Sequence, residues 1–230
     1  MNLPVKRAIE LDVGLHVSNY SIESILGRGK EGIVYRVRSE KTQNIFALKH
    51  YSKTVNTKRE IERYLAKFDK LAGVAGVMKV FSVFRLADSS YCSLMELVPG
   101  TNLKEVVSRR ELEVVEVIKI MSQLIEIIEN CHSLKIYVGD LHLENILLSP
   151  HGEVKIVDFD IHHRLTRELE VDDIVSVCIL FHELTNANSK IISRTFPRRI
   201  ANVRMRYRTI GELSRTVVEN CLKLGVTIPR

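Results

Sequence analysis

Apolar and polar residues alternate along the first hundred positions, and then the period changes. Tyr20-Ser-Ile-Glu-Ser-Ile-Leu26 alternates, a glycine cluster follows, and Ile33-Val-Tyr-Arg-Val37 resumes the apolar run. Residues 44–49, 77–84 and 91–97 are three more short runs of strand character. Among them, residues 57–71 carry apolar side chains at 61, 64, 65 and 68, which is helical spacing, and Thr57-x-x-Glu60 has the form of a capping box at the start.

Beyond Pro99-Gly100 the pattern turns helical. Residues 111–132 predict a long helix whose apolar set at 114, 117, 118, 121, 124, 125 and 128 covers one broad, buried face. Two short apolar runs, Ile146-Leu-Leu148 and Val154-Lys-Ile-Val157, flank the turn Ser149-Pro-His-Gly152 and predict a β-hairpin. Residues 173–184 return to helix, and one or two further helices are expected in the tail. A β-rich part followed by an α-rich part, divided near residues 97–101, predicts two lobes with a cleft between them.

Composition narrows the class. With 230 residues, 45% apolar and 27% charged, the chain can bury a real core and is neither disordered nor collagen-like. Its most apolar stretch, residues 174–181, is too short to span a bilayer, so no membrane span is expected. The first fifteen residues hold no apolar signal-peptide core. The four cysteines, Cys92, Cys131, Cys178 and Cys221, form no CxxC pair, which argues against a disulfide framework or a zinc site. A reducing, cytoplasmic setting is expected, with delivery into a host cell without a signal peptide as the alternative.

Charge is uneven. The net charge is +6, yet residues 190–230 hold ten Lys/Arg against two acids, which leaves the first 189 residues at −2. Such a tail suits an acidic partner or the solvated face of a helix. Nucleic acid is disfavoured, because Phe196 and Tyr207 are too few for a stacking platform.

Three constellations carry chemistry. Gly27-Arg-Gly-Lys-Glu-Gly32 is followed by a strand instead of a helix, so it reads as a glycine hairpin able to lay its backbone over phosphates. Lys49, in the apolar run Phe46-Ala-Leu-Lys, needs an anion for its ammonium, and Glu60 or Glu62 could hold it in place, with Glu60 preferred. Asp140-Leu-His-Leu-Glu-Asn145 followed by Asp158 presents two acids and an amide at turns beside apolar strands, a donor set for a hard cation such as Mg²⁺.

Taken in order, these blocks resemble the protein-kinase-like superfamily: Leu26-Gly-Arg-Gly-Lys-Glu-Gly-Ile-Val-Tyr, Ala47-Leu-Lys49, Met95-Glu-Leu-Val-Pro-Gly100, Gly139-Asp-Leu-His-Leu-Glu-Asn145, Asp158-Phe-Asp160 and the helix from Asp173. The resemblance implies an α+β, bilobal kinase-like fold, with a small β-rich N-lobe over residues 1–97 and a compact, mainly helical C-lobe over 98–230. It implies ATP and Mg²⁺ as cofactors and a protein hydroxyl as acceptor. By the same resemblance, Gly27, Gly29 and Gly32 cover the phosphates, and Lys49 holds them while pairing with a helix glutamate. Asp140 takes the acceptor's proton with His142 beside it, and Asn145 and Asp158 bind the metal. Glu96 to Val98 form the hinge against adenine with Met95 behind it, and Val34, Ala47 and Leu147 sandwich the ring.

The departures are equally specific. Val138-Gly-Asp140 stands where the family usually has His-Arg-Asp, His142 replaces a lysine, and Asp160 replaces a glycine. These features resemble aminoglycoside and choline phosphotransferases, so a small-molecule kinase is the alternative, with a pseudokinase binding module as the third reading. Only 14 residues separate Asp158 from Asp173, and no Ala-Pro-Glu occurs, so the usual activation segment does not fit. A minimal Ser/Thr protein kinase, unregulated by loop phosphorylation, is the reading these residues favour.

Overall fold

The computed structural model describes residues 10–29, 31–52, 58–160, 163–185, 196 and 200–223. They fall into two compact units, Met1–Ala72 with Met78–Leu97, and Gly73–Val77 with Val98–Arg230.

In the first unit, β1 (His16–Val17), β2 (Tyr20–Arg28), β3 (Gly32–Ser39), β4 (Ile45–Tyr51), β5 (Val80–Arg85) and β6 (Tyr91–Glu96) form an antiparallel sheet in the order β1-β2-β3-β4-β6-β5. The period of two gives each strand two faces. Ile22, Ile33, Tyr35, Val37, Leu48, Cys92 and Leu94 meet on one face as a buried core. The Tyr35 hydroxyl accepts the Leu11 N–H at 2.8 Å, which satisfies the polar end of a fully buried ring. Helix α1 (Lys58–Leu71) buries Tyr64, Phe68 and Leu71, three to four residues apart. Tyr64 meets Tyr51 edge-on at 6.1 Å and points its hydroxyl at Met95 Sδ. Thr57, the expected cap, lies outside the described residues.

The second unit holds a small sheet, β7 (Thr101–Asn102), β8 (Ile146–Leu148) and β9 (Val154–Ile156), in the order β7-β8-β9. The expected hairpin is the β8–β9 pair, with Ile146 opposite Ile156. Helix α2 (Leu103–Arg109) was not expected; seven residues show no full amphipathic period, although the Asn102 side chain caps it by accepting the Glu105 N–H at 2.9 Å. Helix α3 (Val114–Ser133) begins three residues later than the pattern suggests, and its first turn is fixed by Glu116. That carboxylate accepts the Glu113 N–H and a two-pronged pair of bonds from Arg110, each at 2.8 Å. Helix α4 (Arg167–Leu184) begins six residues earlier than expected, because its first turn is charged and shows no apolar period; the Thr166 hydroxyl caps it at Leu169 N–H. Helices α5 (Ile200–Arg206) and α6 (Ile210–Lys223) follow, and Val203, Tyr207, Ile210, Leu213 and Val217 are buried. The arginines among them face outward, with Arg204 paired to Asp172 at 2.8 Å, so this part of the basic segment is an ordinary amphipathic surface. Of the remaining basic residues of the tail, Lys190, Arg194, Arg198, Arg199 and Arg230 lie outside the described residues, as does the Lys223 side chain.

Cys92, Cys131 and Cys178 are buried free thiols, and burial pushes those of Cys92 and Cys178 up to about 12. No helix among the described residues is long and apolar enough to cross a membrane.

The Arg110 fork and the Glu113 N–H hold the Glu116 carboxyl down at about 2, well below its ordinary 4.5. A folded-state value depressed in this way stabilises the protein above pH ~4.5, and that stabilisation is lost as pH falls toward 2. Glu116→Gln is therefore expected to lower stability at pH 7 by about 1 kcal/mol or less, since the pair is partly exposed and screened. It should also flatten the decline between pH 4.5 and 2; urea titrations at a series of pH values check both.

Candidate active site

The face of the first unit's sheet opposite its core collects the residues singled out for phosphate binding. Cross-strand partners share a face, and the register runs Gly27 to Val34, Val34 to Lys49, Lys49 to Ser93 and Ala47 to Met95. Two irregularities in β2, at Ile22/Ser24 and Ile25/Gly27, shift its pairing so that Ile25 stays with the core partner Tyr35 while Gly27 comes opposite Val34. The glycine turn is closed by a Gly29 N–H to Gly32 carbonyl bond of 2.9 Å. Its glycines serve different ends. A Cβ on Gly27 would meet nothing within 4 Å, whereas one on Gly32 would lie 2.2 Å from the His50 carbonyl oxygen. Gly32 is required by the close approach of β3 to β4, whereas Gly27 has open space beside its backbone.

Lys49 is buried, with Nζ 3.3 Å from Glu31 Oε2 and 5.2 Å above the Tyr51 ring. One carboxylate beside it thus belongs to the glycine turn. Of the two helix candidates, Glu62 is exposed, and the Glu60 side chain lies outside the described residues. Glu96 ties down the start of β5: its N–H donates to the Lys79 carbonyl, and its carboxylate accepts the Lys79 N–H.

In the second unit the site is a loop held from beneath. Gly139 and Asp140 are both left-handed, with φ of +60° and +46°. Glycine adopts this conformation freely and aspartate at some cost. A Cβ on Gly139 would fall 2.6 Å from Asp160 Cβ and from the Tyr137 ring. The turn is fixed by Asp173 of α4, whose fully buried carboxylate accepts the N–H of Val138 at 3.1 Å and of Gly139 at 2.9 Å. The buried His132 of α3 completes the set, with Nε2 2.8 Å from Asp173 Oδ2. So anchored, Asp140 projects an exposed carboxylate. Asn145 Nδ2 donates to its Oδ2 at 3.1 Å and to its peptide oxygen at 3.0 Å, and His142 Nε2 lies 3.7 Å from Oδ1.

Asp158 comes alongside through the backbone, since Val157 N–H donates to the Asn145 carbonyl at 3.0 Å and Asp160 N–H to the Val138 carbonyl at 2.8 Å. Asp158 Oδ1 accepts the Phe159 N–H, and Asp160 Oδ1 accepts the His163 N–H at 2.8 Å. Burial and the carboxylates of Asp173, Asp160, Asp172 and Asp140 push the Tyr137 phenol up to about 12, so it is neutral at any physiological pH. Leu147 is half-buried on β8, paired with Asn102 and Lys155.

Gly27, Val34, Ala47, Lys49 and Met95 therefore share one sheet face, and Asp140, His142, Asn145 and Asp158 share one loop cluster. Sequence reading did not foresee the parts played by Glu31, His132 and Asp173. In the sequence Asp173 directly follows Asp172 at the edge of the apolar run 174–181, so no local pattern marks it as the buried one of the pair.

The donor set suits magnesium. Asn145 turns its NH₂ to Asp140, which leaves Oδ1 and the Asp158 carboxylate as hard oxygen ligands. Among the described residues no group of three or more His, Cys, Asp or Glu could hold a metal by itself.

The chain belongs to the protein kinase family: residues 20–179 match the family described as protein kinase domain. Death-associated protein kinase dapk-1 of Caenorhabditis elegans is 32% identical over 166 residues, covering 68% of this chain and 11% of that protein. Aurora kinase B of Mus musculus is 30% identical over 146 residues, covering 62% and 42%. The chain spans well under two thirds of the length of the curated relatives it matches. Among solved structures, the PknI kinase domain of Mycobacterium tuberculosis shares the fold, with a TM-score of 0.74 at 17% identity, covering 93% of this chain and 100% of that one.

Because Asp173 satisfies two backbone N–H groups and a histidine inside the protein, Asp173→Ala is expected to cost about 3–5 kcal/mol of stability. Denaturant unfolding measures this, and Asp173→Asn, which keeps one acceptor oxygen, should fall between the two.

Proposed function

We propose that the chain is a minimal Ser/Thr protein kinase that transfers the γ-phosphate of Mg-ATP to a protein hydroxyl. The observation that carries this reading is the loop cluster in which Asn145 hydrogen-bonds the Asp140 carboxylate while the Val157 N–H to Asn145 bond brings Asp158 alongside. Asp140 accepts the acceptor hydroxyl's proton, and His142 sits at the edge of the same carboxylate. Asp158 and Asn145 hold magnesium, which when bound neutralises charge on the phosphates. In the first unit, Lys49 binds the α- and β-phosphates beneath the turn of Gly27, Gly29 and Gly32. Val34, Ala47 and Met95, which share the Lys49 face of the sheet, offer the base an apolar surface, and Glu96 follows Met95 on β6. Glu60 is the helix residue proposed to pair with Lys49, with Glu62 as the alternative.

A relative named Serine/threonine-protein kinase 10, from Danio rerio, supports the choice of acceptor. Against a small-molecule acceptor, the Asp160 carboxylate that suggested one is engaged by His163. Helix α4 starts at Arg167, so only eight residues lie between it and Asp158. That span has no room for a phosphorylated docking segment. The buried free thiols fit a reducing, cytoplasmic setting, and the exposed Arg208 and Arg215 leave an acidic partner for the tail within this reading.

Incubation of the purified chain with labelled Mg-ATP and a mixed protein extract tests it. Label on protein is expected, falling at least about a hundredfold in Asp140→Ala and disappearing in Asp158→Ala. Label on small metabolites alone, or ATP binding with no transfer, would overturn the assignment.

A further inference from the structure

Tyr51 follows Lys49 by two residues on β4, so the two side chains leave the same face of the strand. It also stands opposite Gly32, the last glycine of the turn. Its ring is buried and held where it lies. The Tyr51 and Ser93 hydroxyls share a hydrogen bond of 3.2 Å, and Ser93 is itself the β6 partner of Lys49. The ring meets Tyr64 of α1 edge-on at 6.1 Å, and Tyr64 in turn packs on Phe68 and turns its hydroxyl to Met95 Sδ. Over this fixed surface lies Lys49 Nζ, 5.2 Å from the ring centroid. That is within the range at which an ammonium is drawn to an aromatic face, and the burial of both partners strengthens the attraction.

Such a support differs in kind from a carboxylate. An ammonium has three N–H donors and can serve carboxylates and phosphate oxygens together. A further carboxylate would add negative charge next to the phosphates, whereas a π face attracts the cation through its quadrupole and carries no net charge. We infer that Tyr51 is the residue that positions the Lys49 ammonium for nucleotide phosphates. Its ring is the platform for Nζ, and Ser93 of β6 and Tyr64 of α1 set where that platform lies. The inference rests on the reading of Lys49 as the phosphate-binding lysine. Tyr51 acts through Lys49 and is a positioning residue. Helix α1 thereby bears on the lysine through ring packing as well as through the glutamate proposed to pair with it.

The test keeps the shape of the ring and changes its electrons. In the whole chain, Tyr51→Phe is compared with the same position carrying phenylalanine with one, two or three ring fluorines, introduced by stop-codon suppression. Fluorine draws charge from the face and weakens its hold on a cation while hardly altering its size. Calorimetry with Mg-ADP should show affinity falling stepwise, about fivefold from Tyr51→Phe to the trifluorinated ring, with thermal midpoints nearly constant. Reductive methylation of the nucleotide-free protein, followed by peptide mass spectrometry, should show Lys49 reacting severalfold faster along the same series. The singly fluorinated member alone gives the sign if the trifluorinated one folds poorly. Equal methylation rates across the series would overturn the inference, because the ring would then not hold the ammonium. Rising rates with unchanged Mg-ADP affinity would overturn it while leaving the kinase reading intact. If the wild type does not bind Mg-ADP although the rates rise, the kinase reading falls and this inference falls with it.

Discussion

The architecture of the second unit depends on one buried carboxylate. Asp173 lies on α4 with no exposed surface, and its charge would be costly there without partners. It has them in the N–H groups of Val138 and Gly139 and in the His132 ring. These bonds hold a backbone that would not otherwise persist, since Gly139 and Asp140 are consecutive left-handed residues. Because α3 supplies the histidine and α4 the carboxylate, packing of the two helices bears directly on the position of the exposed Asp140 that follows Gly139. The site is thus as rigid as the helix pair beneath it.

The first unit applies a different constraint, the strict two-sidedness of a β-sheet. Every residue of β4 that faces the core, such as Leu48, has neighbours that do not, such as Ala47 and Lys49. A buried lysine is tolerated there because the same face carries a carboxylate from the turn and the ring of Tyr51. Core and chemistry are separated by the thickness of one strand, and the irregularities in β2 keep Gly27 on the chemical side.

Much of this was legible beforehand because strands and long helices impose periods that composition cannot hide. The runs that became β2, β3, β4 and β6, the apolar stripe of α3 and the hairpin of β8 and β9 all carried their own signal. The acid–amide–acid spacing from Asp140 to Asp158 did too. What escaped notice had no period to show. Helix α2 is too short, β7 has two residues, and the first turn of α4 is charged throughout. The contacts of Glu31 with Lys49 and of Asp173 with His132 join residues 18 and 41 positions apart. Contacts of that kind arise from tertiary register, which local pattern does not encode.

The eight-residue link from Asp158 to α4 has a thermodynamic corollary. Closing a loop costs entropy that grows with its length, and here the span is capped by Thr166 at one end and pinned by Asp160 and His163 near the other. A link of eight residues keeps that closure cost small, so little of the second unit's folding free energy goes into joining Asp158 to the helix that carries Asp173.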